Sequence, residues 1–151
     1  MSYYEGEGEI DSQIRQLTGY YNTSNVFRND WSCLDSGNKQ YYAILRPGIN
    51  PAPVEFISPT MYIVQWQTII ECWRRYTNET DFTTLSTLFG DVNRIIGVIQ
   101  KDKTLGLAYV QVANVSSISA PIFKWVENGP IWISQEVTVS WIEQVSVTYT
   151  S

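Results

Sequence analysis

The chain has 151 residues, about one domain's worth at the usual 100–200 residues per domain, and 44% of them are apolar, 14% aromatic and only 17% charged. That composition excludes a disordered chain, and a net charge of −5 excludes a basic surface that grips nucleic acid through its phosphates. Histidine is absent, which removes every histidine-dependent triad, most zinc sites and the commonest general base.

The first residues, with Glu5, Glu7, Glu9 and Asp11 interleaved with glycine, read as a flexible acidic arm over 1–9. They lack the basic patch and apolar run of a signal peptide, and no stretch approaches the ~18 apolar residues of a membrane span. A soluble protein made in a cytosol is therefore expected. Cys33 and Cys72 are too few for a disulfide framework and match no metal spacing, so they read as small apolar residues.

Ile10, Ile14 and Leu17 follow at helical spacing, with Gly19 placed to end the helix. Residues 22–39, dense in Asn, Ser, Asp and Gly, read as a loop anchored by Val26, Phe27 and Trp31. Tyr41 to Arg46 is a strand candidate, and Pro47, Pro51, Pro53 and Pro59 then impose an extended connector. Tyr62 to Tyr76 alternates with period two and is the clearest strand.

The main helix carries Leu85, Leu88, Phe89, Val92, Ile95, Ile96 and Ile99 as its apolar stripe, with Thr80 or Asp81 as cap. Leu105 to Ser117 is a further strand, followed by a connector with Pro121, Asn128-Gly129 and Pro130. The last strand, Ile131 to Tyr149, places apolar residues on its odd positions and mostly polar ones on its even positions. The expectation is one α+β domain over residues 1–151. Its antiparallel sheet has about four long strands, both helices pack on one face, and the order is α-β-β-α-β-β.

The last strand is long for its domain. Nineteen extended residues span about 60 Å, against a diameter of about 40 Å for a compact chain of this size. Either a bulge near Gln135 or Glu143 folds it over the domain, or it projects as a hairpin with part of Leu105–Ser117 and seeks a partner chain. The projecting hairpin is the expectation carried forward. It fits a surface poor in charge and rich in Tyr and Trp.

Chemistry has few carriers. Glu71, Glu136 and Glu143 are the carboxylates to consider for a glycosidase-like pair, but Glu136 and Glu143 fall on opposite faces of a regular strand. Arg74 and Arg75 likewise diverge. No catalytic centre, cofactor site or metal site is expected. Trp66 and Trp141 fall on apolar faces and read as core, whereas Trp73 and Trp132 fall on polar faces and read as exposed. An exposed tryptophan on a sheet suits a carbohydrate or a subunit interface. Trp73, Trp132, Glu136, Thr138 and Ser140 are the candidate interface residues.

Taken together, the strand YYAILRP at 41–47, the long strand YIVQWQTIIECWRRY at 62–76 and the helix TLSTLFGDVNRIIGVI at 84–99 form a recognisable layout. The segments YVQVANVSS at 109–117 and WISQEVTVSWIEQVSVTY at 132–149 complete it. The whole resembles tail terminator (tail completion) proteins of long-tailed bacteriophages. The resemblance implies a virion protein, assembled in the host cytoplasm, that forms a ring, usually a hexamer, on the head-proximal end of the tail tube. Its partners would be the tube protein and the head connector or neck proteins, with DNA passing through unbound and no membrane involved. Other neck, connector or tube proteins remain open, as does a tryptophan-based carbohydrate-binding module.

Overall fold

A computed structural model describes residues 2–17, 24–36, 39–48, 54–76, 82–101, 110–125 and 130–146. In chain order these form α1 (Ser2–Arg15), β1 (Val26–Arg28), α2 (Cys33–Ser36), β2 (Tyr41–Pro47), β3 (Val54–Ser58) and β4 (Met61–Tyr76). Then follow α3 (Phe82–Lys101), β5 (Val110–Ile118), β6 (Ile122–Trp125) and β7 (Ile131–Ser146). All seven strands join one sheet of order β1-β2-β4-β7-β5, with β3 beside β4 and β6 beside β7.

The spine of the sheet is β4 paired with β7. Their antiparallel register runs without a shift from Met61 opposite Ser146 to Tyr76 opposite Ile131. Each strand has 16 residues, about 50 Å at the usual rise. No neighbour matches that length, so two shorter strands lie end to end along each side. β2 covers Thr68–Arg74 of β4 and β3 covers Met61–Val64. On the far side β6 covers Ile131–Ser134 of β7, and β5 covers Val137–Glu143.

This overturns the expected antiparallel sheet of about four strands in the order α-β-β-α-β-β. Three helices and seven strands are present among the described residues, and β1 makes the sheet mixed by pairing parallel with β2. The flanking strands break where the backbone changes course. At Gly48 the amide donates to the Gln67 carbonyl at 2.9 Å, so close that a Cβ there would sit 2.8 Å from Gln67 Cβ. Between β5 and β6, Pro121 has no amide to give the ladder, and Ser119 holds the turn to β7 through its amide, carbonyl and hydroxyl. The projecting hairpin is overturned too. β7 is flanked on both sides, and the irregularities fall in β5, between Val110 and Val112 and between Val115 and Ser117. No register shift occurs at Gln135 or Glu143 on the β4 side.

Alternation divides the sheet into two faces. Even positions of β4 and odd positions of β7 face α1 and α3, forming a core with Ile10, Ile14, Leu88, Val92, Ile95 and Ile99. The opposite face carries a smaller core of Tyr42, Ile44, Trp73 and Trp132 beneath Cys33 and Leu34 of α2. The loop expected at 22–39 thus contains β1 and α2, and the proline connector contains β3. The cap residues Thr80 and Asp81, the start of the strand at 105–109, Asn128-Gly129 and positions 147–149 lie outside the described residues.

Residues 2–9, expected as an arm, form the first half of α1. Two residues explain why a glycine-rich acidic segment folds here. Glu7 is fully buried, where it accepts from Arg28 Nε at 2.8 Å, Asn29 Nδ2 at 3.3 Å and the Tyr3 hydroxyl. Burial first, and then the bond to Glu7, pushes the Tyr3 hydroxyl up, keeping its proton available to donate. Gly6 lets the helix lie directly on Trp141, since a Cβ there would be 2.5 Å from Cζ2 of that ring.

α3 is fixed differently. Asp91, fully buried, takes a bidentate pair from Arg74 of β4 at 2.7 and 3.2 Å. Burial pushes the Asp91 carboxyl up, and Arg74 and Arg94 only partly offset it. Because the folded value lies above the unfolded one, the folded state takes up this proton first. Wild type should therefore gain stability relative to Asp91→Asn as pH falls through the raised Asp91 value, and level off below the ordinary 3.8. Urea unfolding at a series of pH values measures this, and an opposite slope refutes it. In the same assay Gly6→Ala should cost about 1–3 kcal/mol through overpacking against Trp141. Gly97→Ala, with nothing within 4 Å of its Cβ, should gain about 0.5–1 kcal/mol of helix stability.

Candidate interaction surface

Where α2 ends, its face of the sheet opens, and an ionic cluster marks the border. Register places Glu71 of β4 directly opposite Glu136 of β7. Like charges opposite each other destabilise a sheet, and Arg46 of β2 removes the conflict by bonding both. Its Nε meets Glu71 Oε2 and its Nη2 meets Glu136 Oε1 at 2.9 Å. Burial alone would lower the Arg46 guanidinium, but the bonds to Glu71 and Glu136 together hold it above its ordinary value. Glu71 also accepts from Trp31 Nε1 at 2.9 Å and Trp73 Nε1 at 3.1 Å. The cluster ties the segment before α2 to the sheet.

The carboxylates group differently from the pair first considered. Glu136 faces Glu71, while Glu143 lies on the other face and accepts from Trp66 Nε1 at 2.9 Å. Both members of the facing pair are engaged by one guanidinium, an arrangement that relieves the repulsion between them. Replacing Arg46 by Met should cost about 3 kcal/mol, because it leaves Glu71 buried without its cation. Glu136→Gln, which keeps the Arg46–Glu71 bond, should cost clearly less. Denaturant midpoints of the two variants check the ranking.

Of the residues singled out for an interface, Trp73 and Trp132 are buried, against the expectation of exposure. α2 covers both, and the Trp132 indole donates to the Leu34 carbonyl at 3.1 Å. Polar neighbours on their face had suggested solvent; the four-residue helix supplies apolar cover instead. Glu136, Thr138 and Ser140 follow along the same face of β7. Glu136 is held by Arg46, Thr138 is half-buried, and Ser140 is buried with its hydroxyl bonded to Ser116 at 2.9 Å. Trp31 is the exposed indole among the described tryptophans.

The exposed apolar residues that matter lie at the edges, in segments that sequence reasoning left as connectors. On β3, Phe56 is 71% and Ile57 55% exposed. On β5 and β6, Ile118, Ile122 and Phe123 are about half exposed. Each patch has an aromatic foothold on the spine, Phe56 on Tyr62 at 5.7 Å and Phe123 on Tyr76 at 5.4 Å. The short runs VEFIS and IFKW, bounded by proline or glycine, were the available signal. Among the described residues no strand pairs the outer edge of β3, β5 or β6.

Elsewhere the surface offers a cleft of about 350 Å³ on the helix side, lined by Glu9, Gln13, Gln16, Val98 and Lys101. Among the described residues no group of three or more Cys, Asp or Glu is placed to hold a metal ion. Both cysteines are buried, and burial pushes the Cys33 thiol up to about 11. No helix among the described residues is long and apolar enough to cross a membrane. No protein-family model matches the chain, and no curated protein matches it.

Proposed function

We propose that this chain is a structural virion protein that closes into a ring at the head-proximal end of a phage tail tube. There it ends tube polymerisation and joins the tail to the head connector. One observation carries the reading: two separate apolar patches occupy opposite edges of one sheet, Phe56 and Ile57 on β3 and Ile118, Ile122 and Phe123 on β5 and β6. Two separate patches on opposite edges of one molecule allow head-to-tail contacts, and head-to-tail contacts that close make rings. Unpaired strand edges at both patches add the backbone groups that sheet augmentation uses.

The net charge of −5 suits a ring that DNA traverses without being held. A different neck, connector or tube ring would share this architecture, and differs in which end of the tail it binds. The carbohydrate reading is weakened, because Trp73 and Trp132, its proposed platform, are buried.

Native mass spectrometry of the purified chain, with negative-stain imaging of the species found, tests the proposal. A closed ring of a single stoichiometry is expected, and it should bind one end of isolated tail tubes. A chain that stays monomeric with and without tubes refutes it.

A further inference from the structure

The two edge patches match each other residue by residue. β3 is antiparallel to β4, β4 to β7, and β7 to β6. β3 and β6 therefore run in opposite directions on opposite margins of the sheet. Two copies side by side in the same orientation bring these edges together as an antiparallel pair. A single register then sets Glu55 opposite Lys124 and Phe56 opposite Phe123, with Ile57, at the register shift of β3, next to Ile122.

The faces agree as well. Glu55 sits across from Ile63, an odd position of β4, and Lys124 across from Trp132, an even position of β7. Both therefore lie on the α2 side of the sheet. Phe56, across from Tyr62, and Phe123, across from Ile133, both lie on the side of the long helices. Charge meets charge and ring meets ring on the correct faces. Pairing β3 with its own copy about Phe56 sets Glu55 beside Ile57, and pairing β6 with its own copy about Phe123 sets Lys124 beside Ile122. Only the heterologous arrangement joins the two charges, and opposite-charge and aromatic cross-strand pairs each stabilise a sheet.

We propose that β3 of one copy pairs with β6 of the next through this register, so that the sheet continues from subunit to subunit. The inference rests on the ring reading and specifies its interface. It joins the Phe56–Tyr62 and Phe123–Tyr76 contacts into one row of four rings across the junction. It also sets the tilt of the ring. Glu55 lies level with Gln144 of β7 and Lys124 level with Trp132. Neighbours are thus displaced along the strands by about 40 Å at the usual rise, and the strands stand inclined to the ring axis.

Charge reversal in the full chain tests the register. Glu55, Ile57 and Lys124 are exposed, so Glu55→Lys, Lys124→Glu, the double reversal and Ile57→Asp should all keep wild-type circular dichroism. Sedimentation velocity should show each single reversal, and Ile57→Asp, weakening assembly at least about tenfold through apposed like charge or a buried carboxylate. The double reversal should return assembly to near wild type. If wild type forms rings while the single reversals and Ile57→Asp assemble equally well, the register is wrong and the ring reading stands. A double reversal as weak as either single one also overturns the register. If wild type itself never assembles, with or without tail tubes, both fall together.

Discussion

Everything in this fold is arranged around one constraint, an unbroken antiparallel pairing of two 16-residue strands. A strand pair of that length outruns any single neighbour, so the chain lays β2 with β3 and β5 with β6 along its sides. The turns, the bulges and the close approach at Gly48 all fall in those flanking segments. Two helices cover one face of the pair over its central apolar stretch, and a four-residue helix caps part of the other. What is left uncovered lies at the margins, where the short strands expose Phe56, Ile57, Ile122 and Phe123.

Charge is used inside this molecule more than its composition suggests. With few charged residues, the chain still places Glu7, Glu71 and Asp91 in buried positions and gives each an arginine. Each arginine comes from a different element than its acid, so the pairs fix α1 to β1, β2 to β4 and β4 to α3. Removing one partner from a buried pair leaves an uncompensated charge and costs far more than the intact pair contributes. Their value here lies in geometry. They locate helices whose apolar faces alone would tolerate sliding.

The parts of the fold legible in the sequence were those with a long period, together with β2, whose run from Tyr41 stands between turn residues. β4, β7 and α3 carry alternation or helical spacing over 16–20 residues, and such patterns survive local exceptions. Short elements left no such trace. β1 and α2 sit in a segment rich in Asn, Ser and Asp, and β3 and β6 sit between prolines, where turn chemistry dominates the reading. The second half of α1 was legible through Ile10 and Ile14, but its first half was not: the glycine and glutamate there are helix positions chosen by contact with Trp141 and Arg28, which sequence spacing does not reveal. The same blindness misplaced Trp73 and Trp132. Polar neighbours on a strand predict solvent only where nothing else covers the face, and here α2 covers it together with Arg75 over Trp132 and Lys124 over Trp73.

The unbroken register of β4 and β7 also has a mechanical meaning. A force applied along the strands acts on this pair in shear, so the bonds of all the paired residues must yield together. A force applied across them meets the same ladder one rung at a time. The molecule is therefore stiff in one direction and compliant in the perpendicular one. How a subunit is oriented in an assembly then decides which stresses it transmits and which it absorbs.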